Sequence, residues 1–461
     1  MMGKPIIKIL SRLYILALIG IIFLSVPAAA HTGGLALTNE PVYVPIWLFI
    51  ITGGAVISLS FLIISLATDR EFINNVNSTC IKLPQFQVNK FVYGFLKIAC
   101  VFLLIYTILM GFIGPKNPIS NFSVLFVWVI WWAGYTMTVY LFGNTWDQLN
   151  PWKTISSVLP SFKLNYPLNL GSWPASLGLI FFVLIEVGSN VTYSPISLSY
   201  IILFYTIITL MGSFLYGHEI WFKHADPLSK FFQCYGNVSL TRSHDNSIYI
   251  GLPGMKLIHG IDDIGLPARH QVLFIITILF ITTYDGLVST QYWVENIISP
   301  LSIFGFPILF IHLIGLIFGH LIFYLIYHFS IHLTHKLSNT YISIPSLSMR
   351  FAVSLLPIAA GYHLAHYIGY ILTFFPSFIS IILFPIDQHI ISITPLPLWF
   401  SFIPLAFILL GHMCSVWISH CISFKLFSGR LQPLRSQYPL ILVMVPYTMF
   451  SLWIISAPLA S

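Results

Sequence analysis

Long uncharged blocks alternate with short polar ones along most of the chain. Apolar runs of about the length needed to cross a bilayer, roughly 20 residues, fall near 45–67, 91–114, 121–142, 174–192, 195–217, 268–288, 301–330, 349–374, 397–422 and 438–458. Pro45, Pro174, Pro300, Pro397 and Pro439 stand at their starts, where a missing backbone N–H costs little. The pattern predicts an all-α fold, a polytopic integral membrane bundle of about ten transmembrane helices. Ahead of it, Lys4, Lys8 and Arg12 precede an apolar run at 13–24 and the small residues Ala28 and Ala30, the layout of a cleavable signal segment over residues 1–30. An uncleaved first helix is the alternative. Residues 31–461 then form a single transmembrane domain that begins at His31.

Three connections do not fit a simple up-and-down pattern. Residues 143–173 mix Trp146, Trp152 and Trp173 with few charges and read as a segment lying in the headgroup region. Residues 218–267 collect His218, Glu219, His224, Asp226, His244, Asp245, His259, Asp262 and Asp263, and read as a polar cap outside the lipid. Residues 375–396 are broken by proline and too short to span twice, which suggests a re-entrant or interfacial segment.

Composition sharpens the class. Of 461 residues 57% are hydrophobic and only 7% charged, and the mean hydropathy is +0.89. A soluble domain carries about 25% charged residues, so the bilayer is the expected partner. The formal charge of +7 belongs to scattered loops, not to one face, which argues against nucleic acid. Fifteen of the 20 basic residues, from Arg70 to Arg435, fall on alternate loops, and only Lys116 lies on loops of the other side. The positive-inside rule makes the basic loops cytoplasmic and leaves the mature amino terminus and the carboxyl terminus outside a plasma membrane. The five cysteines form no CxxC pair, so neither a disulfide framework nor a zinc finger is expected.

The candidate chemistry lies inside the spans. Counting from the outer ends at about 1.5 Å per residue puts Glu186, His312, His363, His366 and His412 at comparable depths, with Asp285 nearer the surface. These six residues are expected to share one outward-facing cavity. Imidazoles with one or two carboxylates make the ligand set of a zinc, iron or copper site, with a metal-bound water as nucleophile and Glu186 or Asp285 as proton acceptor. His420 extends the metal set as the end of GHMCSVWISH (411–420), which repeats the Gly-His and later His of GHLIFYLIYH (319–328). The glycine before each first histidine admits a close neighbouring helix. Interhelical hydrogen bonds, or a proton or ion pathway, explain the same histidines. His320 with His412, or His366 with His412, could face each other as axial haem ligands, but haem ranks below a non-haem metal because stacked haems need ligand layers farther apart than the eight-residue spacing gives. HFSIHLTH (328–335) offers an HxxxH pair at a helix end, and His31 with His389 offers a copper chelate at the mature terminus.

The runs GNTWDQLNPWK, WPASLGLIFFVLIE, YGHEIWFKHADP, TTYDGL, SLLPIAAGYHLAHY, GHMCSVWISH and SQYPLILVMV resemble, in one order over nearly all of the mature chain, a family of polytopic membrane proteins known as fenitrothion hydrolase. The resemblance implies hydrolysis of an organophosphate triester as a side activity. It matches the family at Asn144, Asn150, Pro151, Trp152, Glu219, Asp285, His366, His412 and His420, while the histidines at 312, 320, 328, 332 and 335 depart from it. Phosphate-loop, GxSxG and dinucleotide motifs are absent. Three classes therefore fit: a metal-dependent membrane hydrolase; a transporter or channel for a proton, metal ion or small solute; and a haem- or copper-handling membrane subunit.

Overall fold

A computed structural model describes residues 46–84, 89–162, 164–167, 169–244, 247–259, 268–384 and 393–458. The signal segment, His31 and His389 lie outside the described residues. Helix α1 (Ile46–Ser65) is followed by the short helix Arg70–Ser78 and then by α2 (Lys90–Ile113) and α3 (Phe122–Phe142). Next come α4 (Pro151–Val158), α5 (Trp173–Gly188), α6 (Pro195–Tyr216), α7 (Pro227–Gly236) and α8 (Ala268–Val288). The chain ends with α9 (Ile308–Ser338), α10 (Leu356–Leu383), α11 (Phe402–Leu426) and α12 (Leu431–Ser456). Among the described residues nine helices are long and apolar enough to span, and α5 is a shorter apolar tenth. The expected all-α bundle of a multi-pass membrane protein is thus present.

The most extensive helix contact is between α10 and α11, and α12 is wedged among α1, α9 and α11. At the α10–α11 crossing a Cβ built on Gly411 would stand 2.7 Å from the carbonyl oxygen of Pro357, and one on Gly361 2.6 Å from that of Phe407. The two backbones touch, as the glycine ahead of His412 suggested. Gly319 instead faces the ring of Phe280. The outer faces of α2 and α9 keep their apolar side chains exposed, as lipid contact requires.

Several boundaries differ from the sequence reading, each for a packing reason. Helix α10 does not stop before Pro376 but runs on to Leu383, because Phe378 packs against Phe122 and Phe126 of α3. Residues 375–383 are therefore the end of a span and not a separate interfacial segment. Helix α9 starts seven residues late, after Gly305 at φ 84° and Pro307 divide it from the short helix Ser299–Ile303. In the 143–173 connection Trp146 and Trp152 are buried, Trp152 donating to Thr206 Oγ1 at 2.8 Å, whereas Val158 and Phe162 stay exposed. Only the later part of that segment suits a headgroup position.

The largest difference is α7. The polar stretch 218–267 is not wholly a cap, since α7 inserts among the spans with Leu228, Phe231, Phe232 and Tyr235 all buried. Asp226 starts this helix: its Oδ2 accepts from Ser229 N at 2.8 Å, its Oδ1 accepts from Tyr205 Oη at 2.5 Å, and Pro227 occupies the first turn. Phe231 then stacks on Trp132 at 5.2 Å. The rest of the stretch supplies β2 (Thr241–His244) and β3 (Ser247–Ile250), which with β1 (Ile81–Lys82) form a small antiparallel sheet in the order β1-β3-β2.

Candidate functional site

Three spans bring the central groups together. The FFVLIEVG end of α5 carries Glu186, TTYDGL of α8 carries Asp285, and GYHLAHY of α10 sets His363, His366 and Tyr367 one turn apart. Tyr367 Oη donates to Asp285 Oδ2 at 3.0 Å and accepts from Trp132 Nε1 at 3.2 Å. His366 Nε2 stands 3.6 Å from the same Asp285 oxygen, its side chain 5% exposed against 22% for the aspartate. Glu186 lies within Coulombic reach of both Asp285 and Tyr367. His363 is adjacent, its ring 4.6 Å from that of Tyr367 and its Nδ1 3.5 Å from Tyr140 Oη.

Beside this cluster is a half-open chamber of about 350 Å³ lined by α2, α3, α5 and α6, with residues before and within α4 at its far end. Trp128, Trp131, Trp132 and Tyr135 reach it from Leu125–Tyr135 of α3, a stretch of wide i→i+5 turns, and Trp146 and Trp152 close the end near α4. Among the described residues Glu186 is the lone carboxylate in the lining. Such a concavity, apolar with a single convergent charge, has the build of a small-molecule site.

The remaining sequence candidates have other surroundings, and the six groups do not line this chamber together. Of the six, only Glu186 lines the chamber. His312 bonds Tyr284 Oη at 3.0 Å and stacks on Trp293. His412 Nδ1 donates to the carbonyl of Ile408 at 2.8 Å. Both ring nitrogens of His420 face protein oxygens, Ala67 O at 2.9 Å and Gln437 Oε1 at 3.3 Å. His320 bonds Thr277, so the two Gly-His repeats have different surroundings. Among the described residues no three His, Cys, Asp or Glu side chains are placed to hold one ion. The five-histidine metal set therefore does not assemble around one ion.

The matched residues of the family pattern divide in the same way. Asn150 starts α4 by accepting from Lys153 N at 3.0 Å and donates to Ser229 Oγ at 3.1 Å, while Pro151 and Trp152 line the chamber. Asn144 Oδ1 accepts from Trp146 N at 3.1 Å, which holds the turn carrying that ring. Glu219 is exposed, 3.7 Å from Lys153. Tyr367 and Trp132, which tie the cluster together, were not singled out in the sequence, although Tyr367 directly follows His366 there.

Lys230 was missed as well, hidden in a stretch taken for a solvated cap. It is fully buried on α7 and donates to Gln233 Oε1 at 2.9 Å. Burial pulls its amine down from 10.5 to about 8, with nearby Cys234 opposing the shift and Lys223 adding to it. The folded state thus takes up this proton less readily than the unfolded chain, so the stability cost is complete below about pH 8 and is relieved as pH rises towards 10.5. Lys230→Met is expected to abolish a gain in unfolding free energy on the order of 3 kcal/mol between those limits. Thermal unfolding in detergent at pH 8 and pH 10 checks this, and equal slopes for the two proteins would refute it.

No family model matches the chain, and neither a curated protein nor a solved structure matches it.

Proposed function

We propose that the protein is a multi-pass carrier of the plasma membrane that exchanges protons for a small amphipathic organic cation. The observation that carries this reading is Glu186 at the wall of an aromatic chamber lined by apolar helices. A carboxylate facing hydrocarbon is tolerated when it is protonated or when a positive charge neutralises it. Those two states exclude each other, so a proton and a bound cation compete for one group. The indole and phenol faces around the chamber favour the same ligand through cation–π attraction. Asp285, Tyr367 and His366 supply exchangeable groups that pass the displaced proton on. With the basic loops cytoplasmic, both termini of the mature chain face outward.

The test uses purified protein in liposomes with tritiated 1-methyl-4-phenylpyridinium as the probe cation and a lumenal pH dye. An imposed proton gradient is expected to drive probe accumulation, and Glu186→Gln is expected to reduce both binding and uptake to the level of empty vesicles. Undiminished uptake by Glu186→Gln would refute the reading.

A hydrolase is the second reading, favoured by one contact. An imidazole 3.6 Å from a carboxylate, as His366 is from Asp285, resembles an oriented general base. The resemblance to fenitrothion hydrolase points the same way, and the chamber suits an aryl ester. Release of nitrophenolate from a neutral aryl phosphotriester, lost in His366→Asn, would support it. Release at the vesicle background would count against it.

A further inference from the structure

Between the carboxylate cluster and the basic end of the molecule lies a second set of polar groups that none of the roles above uses. Tyr362 Oη, His412 Nε2 and Tyr235 Oη are all buried without a hydrogen-bond partner among the described residues. Their residues are 1%, 1% and 0% exposed. Each would forfeit a hydrogen bond that water supplies in the unfolded chain, and native proteins leave few such groups unsatisfied.

These atoms are not scattered. Tyr447 joins them: its hydroxyl lies 2.6 Å from Thr283 Oγ1, its ring 5.6 Å from that of His412, and it is within Coulombic reach of Tyr362 and Tyr235. Tyr362 in turn is within Coulombic reach of Asp285, and its hydroxyl is tucked against Gly286, the next residue of α8. At the other end Tyr235, its ring 6.2 Å from that of His363, precedes Gly236, whose carbonyl faces Lys256 Nζ at 3.4 Å on the short helix Met255–His259 of the basic side. These contacts link Asp285 through Tyr362 and Tyr447 to His412 and Tyr235, and Tyr235 to that face.

The chemistry of the unpaired atoms selects the occupant. His412 Nδ1 carries the proton it donates to Ile408, so its Nε2 is an acceptor. The two phenols need an acceptor for their protons and have lone pairs to fill. A small molecule that donates and accepts at once satisfies all three, and water is the one that fits between packed rings. We infer that Tyr362, Tyr447, His412 and Tyr235 hold a file of internal waters joining Asp285 to the basic face. This deepens the carrier reading, on which it rests for one part: the file is the route by which the displaced proton leaves.

Two measurements separate the file from the carrier. Brief X-ray radiolysis of the wild-type protein produces hydroxyl radicals wherever water is held, and mass spectrometry locates the oxidised side chains. Tyr235 and Tyr362 are expected to oxidise several-fold faster than the equally buried Phe231 and Phe374. Oxidation no faster than those phenylalanines would overturn the inference, and it would leave the carrier standing if uptake still required Glu186. In liposomes, Tyr362→Phe and His412→Leu are expected to slow proton release several-fold while binding of 1-methyl-4-phenylpyridinium is retained. Unchanged release in both variants would overturn the file as the exit route. Oxidised tyrosines together with uptake that ignores Glu186→Gln would keep the waters and remove the carrier.

Discussion

Gly411→Val is expected to be the most disruptive single substitution in the bundle. The added branch meets backbone on the facing helix, the carbonyl of Pro357 at 2.7 Å and Cα of Gly361 at 3.2 Å, and neither can turn aside. Helices α10 and α11 must separate, which opens the most extensive helix contact among the described residues and disturbs His363, His366 and His412 together. Overpacking of this kind typically costs about 1–3 kcal/mol and occasionally more, and a backbone-to-backbone contact belongs at the upper end. Gly319→Val should cost less, because its nearest neighbour is the ring of Phe280, a side chain that can rotate. Gly94 has open space around its position in α2, so Gly94→Ala should leave stability equal or raise it by up to about 1 kcal/mol through helix propensity. Thermal unfolding and size-exclusion profiles in one detergent rank the three. A Gly411→Val protein as stable as Gly94→Ala would contradict the described crossing.

Asp285→Asn should have the largest effect on turnover. The change keeps the size of the side chain and its hydrogen bond from Tyr367, but removes the charge that faces His366. If protons leave Glu186 through Asp285, proton-coupled uptake should fall about a hundredfold or more, the scale of losing a positioned acid–base group. Binding of 1-methyl-4-phenylpyridinium should survive, since that ligand pairs with Glu186. Tyr367→Phe removes one of the contacts to Asp285 and should give a smaller loss, near tenfold for a charge-assisted hydrogen bond. Stopped-flow dye signals from proteoliposomes, paired with equilibrium binding, separate the two effects. Full uptake by Asp285→Asn, or loss of binding in step with uptake, would argue that the aspartate is no part of a proton route.

The helices were legible because lipid imposes one rule on every span, and the alternation of basic loops checks their number. Depth along the membrane normal was legible too. It brought Glu186 and His366 to comparable depths and put Asp285 nearer the surface, whereas the structure joins Asp285 to His366 directly. Rotation about each helix axis and the order of helices in the bundle have no comparable signal. His312 and His412 share that depth yet turn to Tyr284 and to the carbonyl of Ile408. Helix α7 escaped for a different reason. Its polar residues include Asp226, Ser229, Lys230 and Gln233, and counting them as solvated ignores that Asp226 is satisfied by Tyr205 and the first-turn amide, and Lys230 by Gln233, inside the protein. Pro376 misled in the same manner, since tertiary contacts to α3 hold the helix past a residue that would end it in isolation.

The length of α9 carries a consequence for the host membrane. Thirty-one residues make a rod of about 46 Å, half as long again as a hydrocarbon slab of about 30 Å. Its bare greasy flank continues from Ile308 as far as Phe329, and beyond that come His332, His335 and Lys336. Whatever the slab cannot cover must lean or protrude at the imidazole-bearing tip. A thicker bilayer would draw those rings towards oil and a thinner one would wet them, so the rod works as a dipstick whose reading is set by the acyl-chain length of the surrounding lipids.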